Sequence, residues 1–534
     1  MIKRIILFAL VLSYSKSSFC QLNYSQKLNK LFNFYQKQNL FNGSVLVSKN
    51  GKVLLNKGYG VQNAVSSKLN SPKSIFAIYS ITKTFTSTVI LKLVEEKKMA
   101  LTDKLSKFYP DYPKGDSITI ENLLTHTSGI YDYTRGNDMK DQTEKSFVAF
   151  QKTKPLDFPV GSEWSYSNSG YYFLGYIIQK VTGMSYESAV AKYIFKPLKM
   201  KQSGFAFKDL KSQNKAIGYE TFSDKIKKPS IVYDPPGPYA AGGIYSTVED
   251  MYKYYIGLNA YKVLSKASLE KAYKPFKNNY GYGWVNLSMF DKNTVGHSGA
   301  GAGFRSNFIQ IPEDSICVVL LSNTEKDLNN ITGNVLKIFY DKTFKIPAEI
   351  KLTKEELKEY VGTYEVNKGF TIYVYFEDNK LISQPSGQPK SVLYPEKQNM
   401  FYVLELNDYI HFGKNNQNEI DTLIFNKNGQ EIKAIKIYPS WEIMGSATKN
   451  GWEGLGSKLV ETAVKNIWEI KNIELKKGEI KFRFNSDWTI NLGLNSGDTL
   501  KQDGDNIKIE NGNYSIILDL TDTENPKFKI NKLK

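Results

Sequence analysis

Two hairpin patterns bracket a stretch of helical periodicity, and together they set what the first part of this chain can become. Ser44–Gly60 (SVLVSKNGKVLLNKGYG) alternates and turns at Asn50-Gly51, a dipeptide suited to the positive φ angles of a two-residue hairpin loop. Phe304–Ile311 and Ile316–Ser322 form a second pattern that turns at Pro312-Glu313-Asp314. Between them Thr84–Lys97, Tyr172–Thr182 and Thr247–Leu258 carry helical spacing, and Lys326–Tyr340 reads as a closing helix. Strands at both ends with helices between predict an α+β domain over residues 22–345.

The remainder reads as two small all-β modules. Residues 350–440 open with a charged helix (LTKEELKEY) and continue in strand-like runs at Phe370–Phe376, Met400–Leu406 and Ile432–Ile437, with a turn at Asn426-Lys427-Asn428-Gly429. Residues 441–534 hold four of the six Trp (Trp441, Trp452, Trp468, Trp488) among short strands such as Ile480–Phe484 and Tyr514–Leu520. The 41% apolar and 23% charged shares of the 534 residues exclude disordered and fibrous classes.

The formal charge of +18 raises nucleic acid and acidic surfaces as partners. Its distribution argues against the first. Residues 441–534 carry 14 basic and 14 acidic side chains, and upstream the Lys residues are scattered, with no nucleic-acid-reading motif beside them. Three separated His and two Cys do not supply a His/Cys metal centre, and no organic cofactor is implied. Hydrolytic chemistry in such a chain needs a side-chain nucleophile.

Residues 1–20 have the form of a secretory signal. Lys3 and Arg4 precede the apolar run Ile5–Ser13, too short to span a bilayer, and Ser18-Phe19-Cys20 offers small residues where a signal peptidase reads. The expectation is an exported protein of the periplasm, cell envelope or medium, with no transmembrane segment in the mature chain. Cleavage after Cys20 leaves Cys317 alone, inside SICVVLLS, where a core position is the simpler reading than a nucleophile.

No G-x-S-x-G elbow is present. Ser80-Ile81-Thr82-Lys83 is an S-x-x-K immediately before a helical run, which sets Ser80 and Lys83 one turn apart on one face, where the helix dipole favours negative charge on the Ser oxygen. Alone, in a Lys-rich chain, such a match carries little weight. Tyr166-Ser167-Asn168 in a loop before an apolar helix adds a phenol able to move a proton and an amide able to hold a carbonyl. His297-Ser298-Gly299-Ala300 then precedes a strand.

In this order, S-x-x-K, Y-x-N and H-x-G resemble the class C β-lactamase-like serine hydrolases, a superfamily of D-alanyl-D-alanine peptidases, D-aminopeptidases, esterases and lactamases. The phrases Leu123–Ile130 (LLTHTSGI), Tyr239–Asp250 (YAAGGIYSTVED) and Gly296–Phe304 (GHSGAGAGF) extend the resemblance over about residues 30–345. It implies a β-lactamase/transpeptidase-like fold, Ser80 as acylated nucleophile, Lys83 and Tyr166 sharing its proton, and Asn168, His297, Ser298 and Gly299 binding substrate. The N–H groups of Ser80 and Ala300 would form the oxyanion hole. The third motif is usually K-T-G. His297 in place of Lys removes a fixed positive charge and puts efficient β-lactamase activity in question.

Other residues have plainer readings. His126 and Tyr79 read as structural, His411 as a solvated strand residue, and nothing brings Glu163 and Asp250 together as a glycosidase pair. Residues 350–440 resemble the small β-barrel appended to such hydrolases, and 441–534 the immunoglobulin-like repeats of outer-membrane starch-binding proteins. The four Trp then have two readings, a glycan or cell-wall platform or the core of a small sandwich. The expected activity is hydrolysis of small amide or ester bonds, in a cell-wall-type peptide, D-amino-acid peptide or ester, through a Ser80 acyl-enzyme. The alternative is a non-hydrolytic penicillin-recognising or glycan-binding envelope protein.

Overall fold

Asn50 and Gly51 both take positive φ, 51° and 73°, and this tight turn closes the first hairpin, β1 (Gly43–Lys49) with β2 (Lys52–Tyr59). The computed structural model describes residues 23–533 apart from 137–142, 224, 232–238, 341, 343–345, 348–349, 368–369, 378–379, 428, 439, 465, 486 and 523. The signal-like residues 1–20 lie outside the described residues. The chain divides into one unit ending at Ile346 and a second covering Pro347–Lys534.

In the first unit, β1 and β2 join β3 (Val285–Met289), β4 (Lys292–Gly301), β5 (Phe304–Ile311) and β6 (Ile316–Ser322) in one antiparallel sheet of order β2-β1-β6-β5-β4-β3. β1 and β6 pair from Gly43↔Ser322 to Lys49↔Ile316, which ties the two ends of the domain together. β6 is buried along its whole length, Cys317 included, so both faces of the sheet are covered at its centre. The second hairpin matches its pattern, with Pro312–Asp314 as a short 3-10 turn.

Two differences from the sequence pattern matter. β4 contains His297, which was expected just ahead of a strand. Gly296, Gly299 and Gly301 lower its strand signal, and packing decides the conformation instead. The closing helix begins at Asn329 rather than Lys326, with Leu328 at its start making no side-chain cap.

The helices are α1 (23–37), α2 (Thr82–Glu95), α3 (Asn168–Thr182), α4 (Val248–Asn259) and α5 (Asn329–Phe339), with shorter ones between. α2 is buried almost all round although it reads TKTFTST. Its small hydroxyls make that possible: Thr84 and Thr88 donate to the carbonyls of Ile81 and Thr84 at 2.8 Å, and Thr86 and Thr88 meet the hydroxyls of Tyr186 and Tyr254 at 2.7 and 2.8 Å. α3 starts on Ser167, whose Oγ accepts the Gly170 N–H at 3.1 Å, and stops at Gly183 with φ 66°.

In the second unit, eight strands from Gly362 to Ile437 pair in sequence and close through Thr363↔Ile437 into a barrel filled by Tyr360, Tyr364, Phe401 and Phe412. A capped turn of helix, Lys354–Lys358, precedes it. The tail forms a ten-stranded sheet around a single core containing Trp441, Trp468, Phe482 and Ile516. The sandwich expected there is one continuous sheet wrapped on itself.

Leu321→Ala in β6 should lower unfolding free energy by about 2–5 kcal/mol, read from the denaturant midpoint, because a packed strand cannot close the void. Lys52→Ala at the exposed start of β2 should change it by less than about 0.5 kcal/mol.

Candidate active site

Ser80 lies in the 3-10 turn Tyr79–Ile81 that leads directly into α2. The preceding Tyr79 has φ 46°, a backbone conformation an aromatic residue holds only when its surroundings enforce it. Those surroundings are β4. A Cβ on Gly301 would sit 2.2 Å from the Tyr79 ring, and one on Gly299 would sit 2.1 Å from the carbonyl oxygen of Ile78. The glycines of GHSGAG therefore let the strand lie against the Ser80 turn.

Turns at both ends of β4 fix which of its N–H groups face Ser80. Phe290 and Asp291, both at positive φ, join β3 to β4, and Ala302-Gly303 joins β4 to β5. In each two-residue hairpin the closing pair, Met289↔Lys292 and Gly301↔Phe304, is hydrogen-bonded, and pairs alternate from there. Ser298 and Ala300 then direct their N–H groups away from β5. β3 pairs only as far as Gly296, so these donors point past its end toward the serine turn.

Lys83 has no exposed surface. Its Nζ lies 3.1 Å from Ser80 Oγ, 2.9 Å from Asn168 Oδ1 and 2.8 Å from the carbonyl oxygen of Ala241, above the Tyr166 ring at 4.8 Å. Burial pulls its pKa from 10.5 down to about 7, with the charge of Asp132 opposing the fall. A neutral amine has two N–H donors and one electron pair. Asn168 Oδ1 and the Ala241 carbonyl can only accept, so they take both donors, and the electron pair is left facing the Ser80 hydroxyl.

Tyr166 sits beside them, its pKa pushed up by burial while hydrogen bonding with Ser80 works against that rise. At neutral pH it is a phenol. Of the two groups expected to share the Ser80 proton, only Lys83 is poised to accept one near pH 7. Asn168 uses Oδ1 on Lys83 and donates Nδ2 to Asp132 Oδ2 at 3.2 Å, which leaves its second amide hydrogen for a substrate carbonyl.

His297 is buried, and both its ring nitrogens are engaged within the protein. Nδ1 is 2.6 Å from the Ser298 carbonyl, so it carries the hydrogen, and Nε2 accepts from the Tyr280 hydroxyl at 3.0 Å. Burial, with the charge of Lys83 adding to it, lowers its pKa to about 3. It is a fixed neutral imidazole, with no free polar atom to take the place of a carboxylate-binding Lys. A cavity of about 1460 Å³ has Ser80, Tyr166, Asn168, His297, Ser298 and Ala300 in its wall. Gly299 is buried beneath it.

His126 is structural. Its Nδ1 accepts the Ser167 N–H at 3.1 Å and its carbonyl accepts the Ser165 N–H, so it braces the segment carrying Tyr166, and burial holds it neutral. Tyr79 packs on Gly301 and lines the cavity. Asp250 is buried on the Gln202 N–H, the Ser203 hydroxyl and Lys253, while Glu163 is exposed. His411 is exposed on the barrel. Trp441 and Trp468 are core, and Trp452 and Trp488 pair at 5.8 Å nearer the surface, with the Arg483 guanidinium 5.3 Å from the Trp488 ring.

Three groups around the site have no motif to mark them: Asp132, Tyr280 and the Ala241 carbonyl. The local signal at Asp132 is an Asx turn, Oδ1 accepting the Thr134 N–H at 2.9 Å, a feature common to many loops.

The central sheet, the helical insert and a buried Lys on a Ser at the head of a helix define a serine hydrolase. Residues 28–336 match the family model described as Beta-lactamase, and the chain belongs to that family. It is similar to Penicillin-binding protein 4* of Bacillus subtilis (strain 168), 26% identical over 449 residues that cover 78% of this chain and 99% of that protein. Protein flp of Staphylococcus aureus (strain MW2) is 34% identical over 313 residues, 55% of this chain and 61% of that one. Among solved structures, the octameric penicillin-binding protein homologue from Pyrococcus abyssi superimposes with a TM-score of 0.56 at 26% identity, covering 77% of this chain and 99% of that one.

Gly299→Ala should force β4 off the serine turn. The expected result is a loss of about 100-fold or more in kcat with an unchanged circular dichroism spectrum. Wild-type kcat in that variant would show that close approach of the strand is dispensable.

Proposed function

We propose that the protein cleaves small amide or ester bonds, in cell-wall-type peptides, D-amino-acid derivatives or esters, through an acyl-enzyme on Ser80. The observation that carries this reading is the 3.1 Å contact between Ser80 Oγ and a Lys83 amine whose other partners can only accept. Lys83 takes the Ser80 proton as Oγ attacks the carbonyl carbon, and the N–H groups of Ser80 and Ala300 hold the resulting oxyanion. As the scissile bond breaks, the Tyr166 phenol gives its proton to the leaving nitrogen or oxygen and takes the one on Lys83. Water then attacks the acyl carbon, its proton returning through Lys83 to Ser80 Oγ.

The neutral His297 bears on substrate choice. Without a positive charge in the third motif, a free carboxylate on the substrate gains nothing there, which favours amides and esters over lactams and terminal D-alanine. Export, read from residues 1–20, belongs to the same proposal and places the substrate outside the cytoplasm. Among the described residues no helix is long and apolar enough to cross a membrane.

The test is a panel of nitrophenyl esters, D-amino-acid amides, a fluorophosphonate and a fluorescent penicillin, run on the wild-type chain and on Ser80→Ala. Labelling and turnover that vanish in the variant are expected. Turnover that survives it, or none at all in the wild type, would refute the acyl-enzyme. Because the free amine is the active form of Lys83, kcat/KM should rise with pH through about 7 and show no step from His297, whose pKa of about 3 lies below the working range.

A further inference from the structure

Asp132 is buried, yet among the described residues no cation lies within ion-pair distance of it. It takes no part in the chemistry set out above. Its Oδ2 accepts both the backbone N–H of Asn168, at 2.9 Å, and the side-chain Nδ2, at 3.2 Å. Its Oδ1 accepts the N–H and the hydroxyl of Thr134, at 2.9 and 2.8 Å. All four partners are donors, as an ionised carboxylate requires.

The consequence falls on Asn168. A terminal amide can rotate by half a turn and exchange its oxygen for its nitrogen at almost no steric cost, so hydrogen bonding alone decides which way it faces. A carboxylate on one side accepts only, and must therefore face Nδ2. Oδ1 is thereby turned to Lys83. Had the amide the opposite orientation, two donors would confront each other at the amine, and Lys83 would turn its electron pair to Nδ2 instead of to Ser80.

We propose that Asp132 is a positioning residue of the hydrolase: by fixing the amide of Asn168 it directs the electron pair of Lys83 at the Ser80 hydroxyl. This rests on the acyl-enzyme reading above, since it assigns Asp132 a part in activating that nucleophile. The carboxylate has a second effect on the same amine. The groups around Lys83 are Ser80, Asn168, the Ala241 carbonyl, the rings of Tyr166 and Tyr171, and more distantly His126 and His297. Both imidazoles are held neutral by burial, and the phenols keep their protons. Among the described residues, Asp132 is the charge that opposes burial at Lys83, keeping the amine basic enough to take a proton.

The test is Asp132→Asn in the full chain, assayed on whichever substrate of the panel gives Ser80-dependent turnover. Expected are a fall in kcat of about 10- to 100-fold with KM little changed, and an acid limb of kcat/KM moved to lower pH, because the charge that raised the Lys83 pKa is gone. A purely structural role would lower the plateau and leave the limb in place. In the Asn168→Ala background the same substitution should add little further loss to the alkaline plateau of kcat, where the charge effect on Lys83 no longer matters and the two residues act as one unit. Thr134 is exposed, so Thr134→Val keeps both fold and charge. It removes one support of the carboxylate and should cost several-fold in kcat with the limb unmoved. An unmoved limb in Asp132→Asn, additive losses with Asn168→Ala, or wild-type kcat in Thr134→Val would each overturn the proposal while leaving the acyl-enzyme intact. Absence of any Ser80-dependent turnover would instead remove the functional reading and this proposal with it.

Discussion

A lysine with no access to water, held neutral or nearly so beside a serine, is the arrangement on which this domain turns. Burying an ammonium costs several kcal/mol unless it is compensated, and a protein can meet that cost by pairing the charge or by giving up the proton. Here three oxygens surround the amine and one carboxylate acts on it from behind Asn168, which leaves Lys83 midway, with a pKa of about 7. That balance is what a base at neutral pH needs. The hydroxyl-rich helix α2 can be buried because its small side chains return their hydrogen bonds to neighbouring carbonyls and phenols.

Much of the remaining first unit serves to bring distant segments to that amine. Asn168 is 85 residues from Lys83 along the chain and Ala241 is 158, and they arrive on the start of α3 and on the short helix Tyr239–Gly242. Thr82 Oγ1 and Thr86 Oγ1 tie the latter to α2 through the Ile244 N–H and the Ala240 carbonyl. From the opposite side comes β4, kept close by glycines and kept in register by a tight turn at each end. His297 contributes as a rigid neutral piece of that strand, locked by Tyr280 and by its neighbour's carbonyl.

The sequence carried the groups that do chemistry and the patterns that make local structure. Ser80, Lys83 and Tyr166 stand in motifs because a base and its nucleophile must share one helical turn, and the Asn50-Gly51 hairpin is written in two adjacent residues. Asp132 is different. Its effect runs through the amide of Asn168, 36 residues on, and only the tertiary fold joins them. The charge state of His297 was equally hidden, since it is set chiefly by burial and by Lys83, which only the tertiary fold brings near. β4 escaped strand assignment because the glycines that make it useful are poor strand formers. In the tail, composition pointed to Trp faces, but burial separates the core residues Trp441 and Trp468 from the outer pair Trp452 and Trp488.

The most direct measurement is the titration of Lys83 itself, by NMR of its labelled side-chain amine and adjacent carbon in the resting enzyme, with Lys83→Arg used to assign the signal. A midpoint near 7 is the expected result. A midpoint at the ordinary value of 10.5 would mean that the amine stays charged beside Ser80, and would contradict its role as the base.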